Sequence, residues 1–109
     1  ILKNKNNLLD YLSVDEVAIV LKKFLYFKPQ SGIYNVGSGK NIDLIKIIKA
    51  IEKNLKKKIF IKYEKNETKN LRFWSNIKKI KNNIRWKPKI TFNKAIKKTI
   101  KFYVKKNKN

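Results

Sequence analysis

One stretch of the sequence, residues 64–73, groups side chains that could bind a negatively charged ligand. Hydrophobic periodicity stops there, polar residues dominate, and the segment contains Lys65, Lys69, Arg72 and Phe73. Long loops in compact domains are often functional. Three cations on such a loop could clamp a diphosphate, and the aromatic ring could pack against a base or a sugar. We therefore take these four residues as candidate substrate-binding residues.

Arg72 is the most informative of the four, because lysine is abundant throughout the chain while arginine occurs only at Arg72 and Arg85. An alternative role for Arg72 is a surface ion pair with Glu64 or Glu67, which would contribute little to stability. The sequence leaves both roles open.

Residue types that usually carry out catalysis are missing or isolated. The chain has no histidine and no cysteine, which removes the usual general base, the commonest metal ligand and thiolate chemistry. No tyrosine is followed four residues later by lysine, the pair that lowers the pKa of a phenol for proton exchange during hydride transfer. The acidic residues form no obvious dyad. We predict no catalytic, cofactor-binding or metal-binding residue in this chain.

The glycine-rich sequence at residues 37–40, Gly-Ser-Gly-Lys, invites comparison with a phosphate-binding loop. A P-loop requires a glycine five positions before its Gly-Lys pair and a Ser or Thr after the lysine. These positions hold Tyr34 and Asn41. A strand-to-helix turn that needs positive φ explains the two glycines better.

The formal net charge of +22 raises the hypothesis of a nucleic-acid partner. Lysines, however, occur in every predicted element instead of one face, and the arginines that bind guanine edges and phosphates bidentately are nearly absent. The joint excess of Lys, Asn and Ile is typical of an AT-rich coding sequence. A basic nucleic-acid-binding module stays as the alternative function, although we expect only weak, salt-sensitive contact with polyanions.

Apolar residues at helical spacing predict four helices, which begin near residues 14, 43, 75 and 91. Their predicted N-caps are Ser13, Asn41 or Asp43, Ser75 and Thr91. The first helix extends to about residue 27, and residues 13–16, Ser-Val-Asp-Glu, fit a capping box. Strands are predicted near 32–36 and 59–63, and the order strand, helix, strand predicts a parallel crossover. The predicted fold class is α/β, a small parallel sheet flanked by helices.

Three segments carry a resemblance when they are taken in order. Residues 10–18 are similar to the pattern Arg-Asp-Tyr/Phe-x-x-Val-Asp-Asp-Val-Ala, and residues 34–39 match Tyr-Asn-Val/Leu-Gly-x-Gly. Residues 76–88 are similar to Asp-x-x-Lys-x-x-x-x-Leu-Gly-Trp-x-Pro. Together they resemble the C-terminal part of an extended short-chain dehydrogenase/reductase of the NAD-dependent sugar-nucleotide epimerase/dehydratase family.

The resemblance implies the C-terminal lobe of an extended Rossmann-type enzyme. Residues 1–109, which begin with Ile1 and not Met, would be a partial substrate-binding lobe whose N-terminal dinucleotide-binding domain is absent. The implied parent is a cytoplasmic homodimer that uses NAD or NADP to epimerise, dehydrate or reduce nucleoside-diphosphate sugars. This chain alone would bind the sugar nucleotide but no cofactor, membrane or specific nucleic acid, and would not be active by itself.

Departures from the family pattern affect both structure and binding. Leu9 stands where the family has an arginine, Asn76 replaces a helix-starting aspartate, and Arg85 replaces a glycine expected past a helix end, where positive φ favours glycine. The loop arginine that binds the diphosphate in many members falls near Lys65, and Phe73 falls near an aromatic that shapes the sugar pocket. These departures keep a nonfunctional remnant of the enzyme as a further alternative.

Overall fold

A computed structural model describes residues 2–3, 6–64 and 70–106 of the chain. In chain order the elements are β1 (Leu2–Lys3), β2 (Leu8–Leu9), α1 (Val14–Phe27), β3 (Ile42–Asp43), α2 (Leu44–Leu55), β4 (Tyr63–Glu64), α3 (Lys78–Ile84) and α4 (Phe92–Lys106). This mixture of helices and short strands agrees with an α/β class. Within the described ranges, each helix is too short or too polar to cross a membrane.

The strands form two small sheets. β1 pairs in parallel with β4, and β2 pairs antiparallel with β3, where Leu9 lies opposite Ile42. A parallel bridge also joins Leu8 to Arg72. Because successive residues of a strand direct their backbone groups to opposite edges, β2 lies between residue 42 on one edge and residue 72 on the other.

The predicted sheet differs from the observed one. Residues 32–36 are not a strand, and of the predicted strand 59–63 only Tyr63 is in one, where its parallel partner is Leu2. The propensity of residues 32–36 is real, but a strand also needs a neighbouring strand to complete its hydrogen bonds. The carbonyl of Ile33 instead accepts from the Lys79 ammonium at 2.8 Å, and the Ile33 side chain is exposed.

Helix starts were mostly predictable. A side-chain oxygen accepts a hydrogen bond from an early helix N–H at three predicted caps, Ser13, Asp43 and Thr91. The predicted cap Ser75 is wrong: α3 begins at Lys78 after Ile77, which makes no side-chain cap. The Lys78 N–H donates to the Asn76 side chain at 3.0 Å, and the Ser75 N–H donates to the side chain of Asp10.

Three helices end on a residue other than glycine in left-handed backbone geometry. These residues are Lys28, Lys56 and Arg85, with φ of 44°, 53° and 49°. The expectation that Arg85 occupies a position of positive φ is confirmed. Such a conformation is unfavourable for a residue with a Cβ, so each of these caps carries some backbone strain.

The buried core is small and lies between α1 and α3. Val20, Ile80, Ile84 and Trp86 are at most 2% exposed, and Phe24 and Tyr34 pack against them. Trp86 thus belongs to this core, whereas Trp74 is exposed within this chain. Among the residues that the structure describes, this core has four buried apolar side chains, so apolar burial there stabilises the arrangement only modestly.

A second face of α1 remains open. Val14, Leu21 and Leu25 are 78%, 62% and 79% exposed, and their spacing of seven and four residues places them on one side of the helix. The described part of the chain therefore leaves an apolar surface on α1 without cover.

Candidate functional site

The loop that was predicted to bind substrate is attached to β2. The Leu8 N–H donates to the Leu71 carbonyl at 2.9 Å, and the Phe73 N–H donates to the Leu8 carbonyl at 3.0 Å. The side chain of Asn7 accepts from the Leu71 N–H at 2.8 Å. These backbone bonds hold Arg72 opposite Leu8.

Arg72 and Phe73 are consecutive residues of this bridged segment, and both side chains are exposed. Their exposure leaves the guanidinium and the ring accessible to a ligand. Lys65 and Lys69, the other two predicted binding residues, lie outside the described residues, as does Glu67. Arg72 as a ligand contact stays a prediction.

Asp10, the residue after β2, connects both edges of the strand. Its Oδ1 accepts from the Ser38 N–H at 2.8 Å and from the Ser38 hydroxyl. Its Oδ2 accepts from the Ser75 N–H at 3.0 Å and from the Gly39 N–H at 3.3 Å. Burial by itself raises the pKa of Asp10, but the bonds from Ser38, Ser75 and Gly39 outweigh it and lower the pKa below its ordinary value.

The turn at residues 37–39 packs closely against Asp10 and Ser75. A Cβ on Gly37 would overlap the side chains of Ser75 and Asp10, and Gly39 has a φ of 72°. The amides of Ser38 and Gly39, which a phosphate would need, already donate to Asp10. These two amides are therefore already used within the chain.

Glu16 is the second acidic residue that connects distant segments. It is 1% exposed, and it accepts from the Trp86 indole N–H at 3.0 Å, the Lys89 N–H at 2.5 Å and the Ile90 N–H at 2.6 Å. Burial by itself raises the pKa of Glu16. The three hydrogen bonds and the positive charge of Lys89 together outweigh burial, so the pKa of Glu16 is lower than its ordinary value. The predicted role of Glu16 in a capping box is wrong, because its carboxylate is used in these longer contacts.

Sequence reasoning missed both acidic residues as structural centres. It assigned Glu16 to the helix N-terminus and used Asp10 only as part of a motif. The available signal was composition: the chain has seven acidic residues against 29 basic ones. An acid adjacent to an apolar run in such a chain is a candidate for a buried acceptor.

A large groove of about 1060 Å³ lies between the N-terminal end of α1, α2, α4 and the turn before α4. Apolar side chains line most of it, including Ile42, Ile47, Ile90 and Phe92, and Lys40 is among its polar residues. Arg72 and Phe73 are not among its lining residues and are therefore not part of this groove.

No protein-family model and no curated protein sequence matches the chain. Solved structures do. RMD from Pseudomonas aeruginosa complexed with NADPH superposes with a TM-score of 0.87 at 17% identity, over 96% of this chain and 35% of the other. UDP-glucose 4-epimerase from Bifidobacterium longum, in complex with NAD⁺ and UDP, gives 0.83 at 19% identity, over 94% and 31%.

A third structure has the highest sequence identity of these. dTDP-glucose 4,6-dehydratase from Bacillus anthracis, in complex with NAD, gives a TM-score of 0.84 at 25% identity, over 98% of this chain and 35% of the other. The chain thus spans about a third of the length of the structures it matches. It has the fold of a portion of the NAD(P)-dependent sugar-nucleotide epimerase/dehydratase family, as the sequence resemblance predicted.

Proposed function

We propose that this chain is the substrate-binding part of an NAD(P)-dependent epimerase/dehydratase that acts on nucleoside-diphosphate sugars. The observation that carries the proposal is the attachment of residues 71–73 to β2, which holds the backbone of Arg72 and Phe73 in place and leaves both side chains exposed. Arg72 would bind the diphosphate bidentately and Phe73 would pack against the base or sugar. Lys65 and Lys69 would add positive charge from the neighbouring loop.

The redox chemistry belongs, on this proposal, to the rest of the parent protein. One matched structure contains NADPH and two contain NAD, and the chain corresponds to about a third of each. The turn at residues 37–39 does not suit a dinucleotide, because its amides are used by Asp10. The cofactor supplies hydride transfer when it is bound elsewhere in the intact protein, and the residues of this chain hold the sugar nucleotide.

The open apolar face of α1 supports the same division. Val14, Leu21 and Leu25 would be covered by the dinucleotide-binding domain, which would also bring the reacting groups to the sugar. This domain is then the main protein partner of the chain, in a parent that is a cytoplasmic homodimer.

The two arginines of the chain provide a matched test of the proposal. UDP and dTDP are titrated into the 109-residue chain by NMR or calorimetry, and Arg72→Ala is compared with Arg85→Ala, which removes the same charge elsewhere. Loss of one charge-assisted contact at an exposed site predicts affinity about tenfold weaker for Arg72→Ala and nearly unchanged for Arg85→Ala. Equal affinity of the two variants would contradict the assignment of Arg72.

One observation favours a second function, the binding of polyanions. Five lysines near the end of α2 surround a hollow of about 450 Å³ around Glu52: Lys49, Lys53, Lys56, Lys57 and Lys58. Affinity for a nucleic-acid backbone would fall steeply as salt rises and would not depend on sequence. If single-stranded DNA binds more tightly than UDP at physiological salt, and Arg72→Ala binds as well as the parent chain, this second function is the better one.

A further inference from the structure

The segment that carries Arg72 and Phe73 is held at two points by neighbouring residues of one strand. At one point, Asn7 and Leu8 bond the backbone of residues 71–73. At the other, the Asp10 carboxylate accepts from the Ser75 N–H at 3.0 Å. The first attachment brackets Arg72, and the second holds the same segment at Ser75, just past Phe73, so both limit where the backbone of Arg72 and Phe73 lies.

The second attachment also reaches across the strand. The same carboxylate oxygen that accepts from Ser75 accepts from Gly39, and the other oxygen accepts from Ser38. Asp10 therefore fixes the distance between residue 75 and the turn at residues 37–39. The absence of room for a Cβ at Gly37 shows how closely these segments approach.

We propose that Asp10 is a positioning residue, which sets the place of Arg72 and Phe73 for a nucleoside diphosphate by holding residue 75 against the turn at 37–39. This inference rests on the proposed function, since it concerns the same binding segment. Asp10 does not touch the ligand; it acts through the backbone of the segment. Binding groups held within a narrow range of geometry lose less affinity to disorder than groups on a free loop.

The chemistry of the contact requires a carboxylate. Three of the four donors that Asp10 accepts are backbone N–H groups, which cannot reverse their direction. They approach both oxygens, one at Oδ1 and two at Oδ2. An asparagine would place an NH₂ group at one of these positions and so would face at least one backbone N–H with another donor. Asp10→Asn is therefore a nearly isosteric change that disrupts the contact.

A role in positioning differs from a general structural role because Asp10 lies outside the buried core. That core consists of Val20, Ile80, Ile84 and Trp86. The hydrogen bonds of Asp10 go to other residues, at positions 38, 39 and 75. We therefore expect Asp10→Asn to loosen the binding segment while the contact between α1 and α3 persists.

The experiment compares the parent chain with Asp10→Asn and with Ser38→Ala, a control that removes one hydroxyl donor from the same carboxylate and keeps its backbone donors. Amide hydrogen exchange by NMR is expected to rise at least tenfold at Ser75 in Asp10→Asn and to stay unchanged at Ile84 in the core. UDP affinity is expected to fall about tenfold in Asp10→Asn and less than threefold in Ser38→Ala. Unchanged UDP affinity in Asp10→Asn would overturn the proposal, and so would equal loss of protection at Ile84.

A double-mutant cycle separates this inference from the proposed function. If Asp10 acts through Arg72, then Asp10→Asn weakens UDP binding in the parent chain but adds little in an Arg72→Ala background. Independent, additive losses would show that Asp10 acts by another route and would reject positioning. If the parent chain and Arg72→Ala bind UDP with equal affinity, the proposed function is rejected, and the positioning role of Asp10 is rejected with it.

Discussion

Replacement of Glu16 tests whether a single buried acid holds α4 and its preceding turn on α1. The carboxylate is 1% exposed and accepts three hydrogen bonds, two of them at Oε1 from Lys89 and Ile90 and one at Oε2 from the Trp86 indole. In Glu16→Gln the amide oxygen can keep both backbone bonds, but the NH₂ group then faces the indole N–H. In Glu16→Ala all three donors lose their acceptor.

The magnitudes follow from this count of donors. One repelled buried donor and the loss of charge assistance predict that Glu16→Gln costs about 2 kcal/mol of the free energy of unfolding. Three buried donors without an acceptor predict about 3–5 kcal/mol for Glu16→Ala, similar to the removal of one partner from a buried ion pair. For a chain of this size, about 2 kcal/mol lowers the melting temperature by roughly 8–16 °C.

The assay is urea and thermal unfolding followed by circular dichroism and by tryptophan fluorescence, which reports on the buried Trp86. The matched control is Asp15→Asn, since Asp15 is the neighbouring acid and makes a partly exposed ion pair with Lys98 at 2.6 Å. Exposed pairs contribute about 0–1 kcal/mol, so the control should be nearly as stable as the parent chain. Equal stability of Glu16→Gln and Asp15→Asn would refute the reasoning.

The pH dependence gives an independent check with a definite sign. The folded-state pKa of Glu16 is depressed below the ordinary value of 4.5, because hydrogen bonds favour the charged form more than burial disfavours it. Its contribution to stability is therefore complete above pH 4.5 and is lost as the pH falls through the folded-state pKa. The difference in stability between the parent chain and Glu16→Gln should be largest near neutral pH and should shrink under acid conditions.

Two other substitutions test the backbone geometry. Gly37→Ala should destabilise the chain by about 1–3 kcal/mol and weaken UDP binding, because the added Cβ overlaps Ser75 and Asp10. Urea unfolding measures the loss of stability, with Ser38→Ala as the control. Unchanged stability of Gly37→Ala would contradict the close approach of these segments. Arg85→Gly should raise the free energy of unfolding by up to about 1 kcal/mol, because Arg85 has a φ of 49°. Arg85→Ala, which keeps the strain, should give no gain in the same unfolding assay.

The helices and their starts could be predicted because their signals are local. The spacing of apolar residues and the caps at Ser13, Asp43 and Thr91 depend on residues within one turn of each other, and all three caps form. Ser75 failed as a cap because α3 begins only at Lys78, whose N–H donates to the Asn76 side chain. A local pattern locates a helix start to within a residue or two but does not fix its first residue.

The sheet could not be predicted because strand pairing is not local. The pattern at residues 32–36 indicates a strand, but no strand lies beside it in the described part of the chain. The observed pairings of β2 depend instead on Asp43 and Arg72, at separations of 35 and 64 residues from Leu8. The binding segment was found from its composition, whereas its attachment to β2 required the structure.

The two acidic centres explain how a chain with so small an apolar core has a defined tertiary arrangement. Asp10 and Glu16 flank the start of α1, and their bonds reach residues that are 28 to 74 positions away. Apolar contacts tolerate exchange among Ile, Leu and Val, but a buried N–H needs an acceptor at one place and in one direction.

Residues 8–16 thus determine the position of three later segments: the turn at 37–39, the binding segment at 71–75 and the turn before α4. The donors in the contacts of Asp10 and Glu16 are backbone N–H groups, the Ser38 hydroxyl and the Trp86 indole, so a net charge of +22 carried by lysine side chains is compatible with this fold. The binding segment at 71–75 is exposed, and its backbone is held in place by its hydrogen bonds to β2 and Asp10. The position of the segment is therefore sensitive to changes at Asp10.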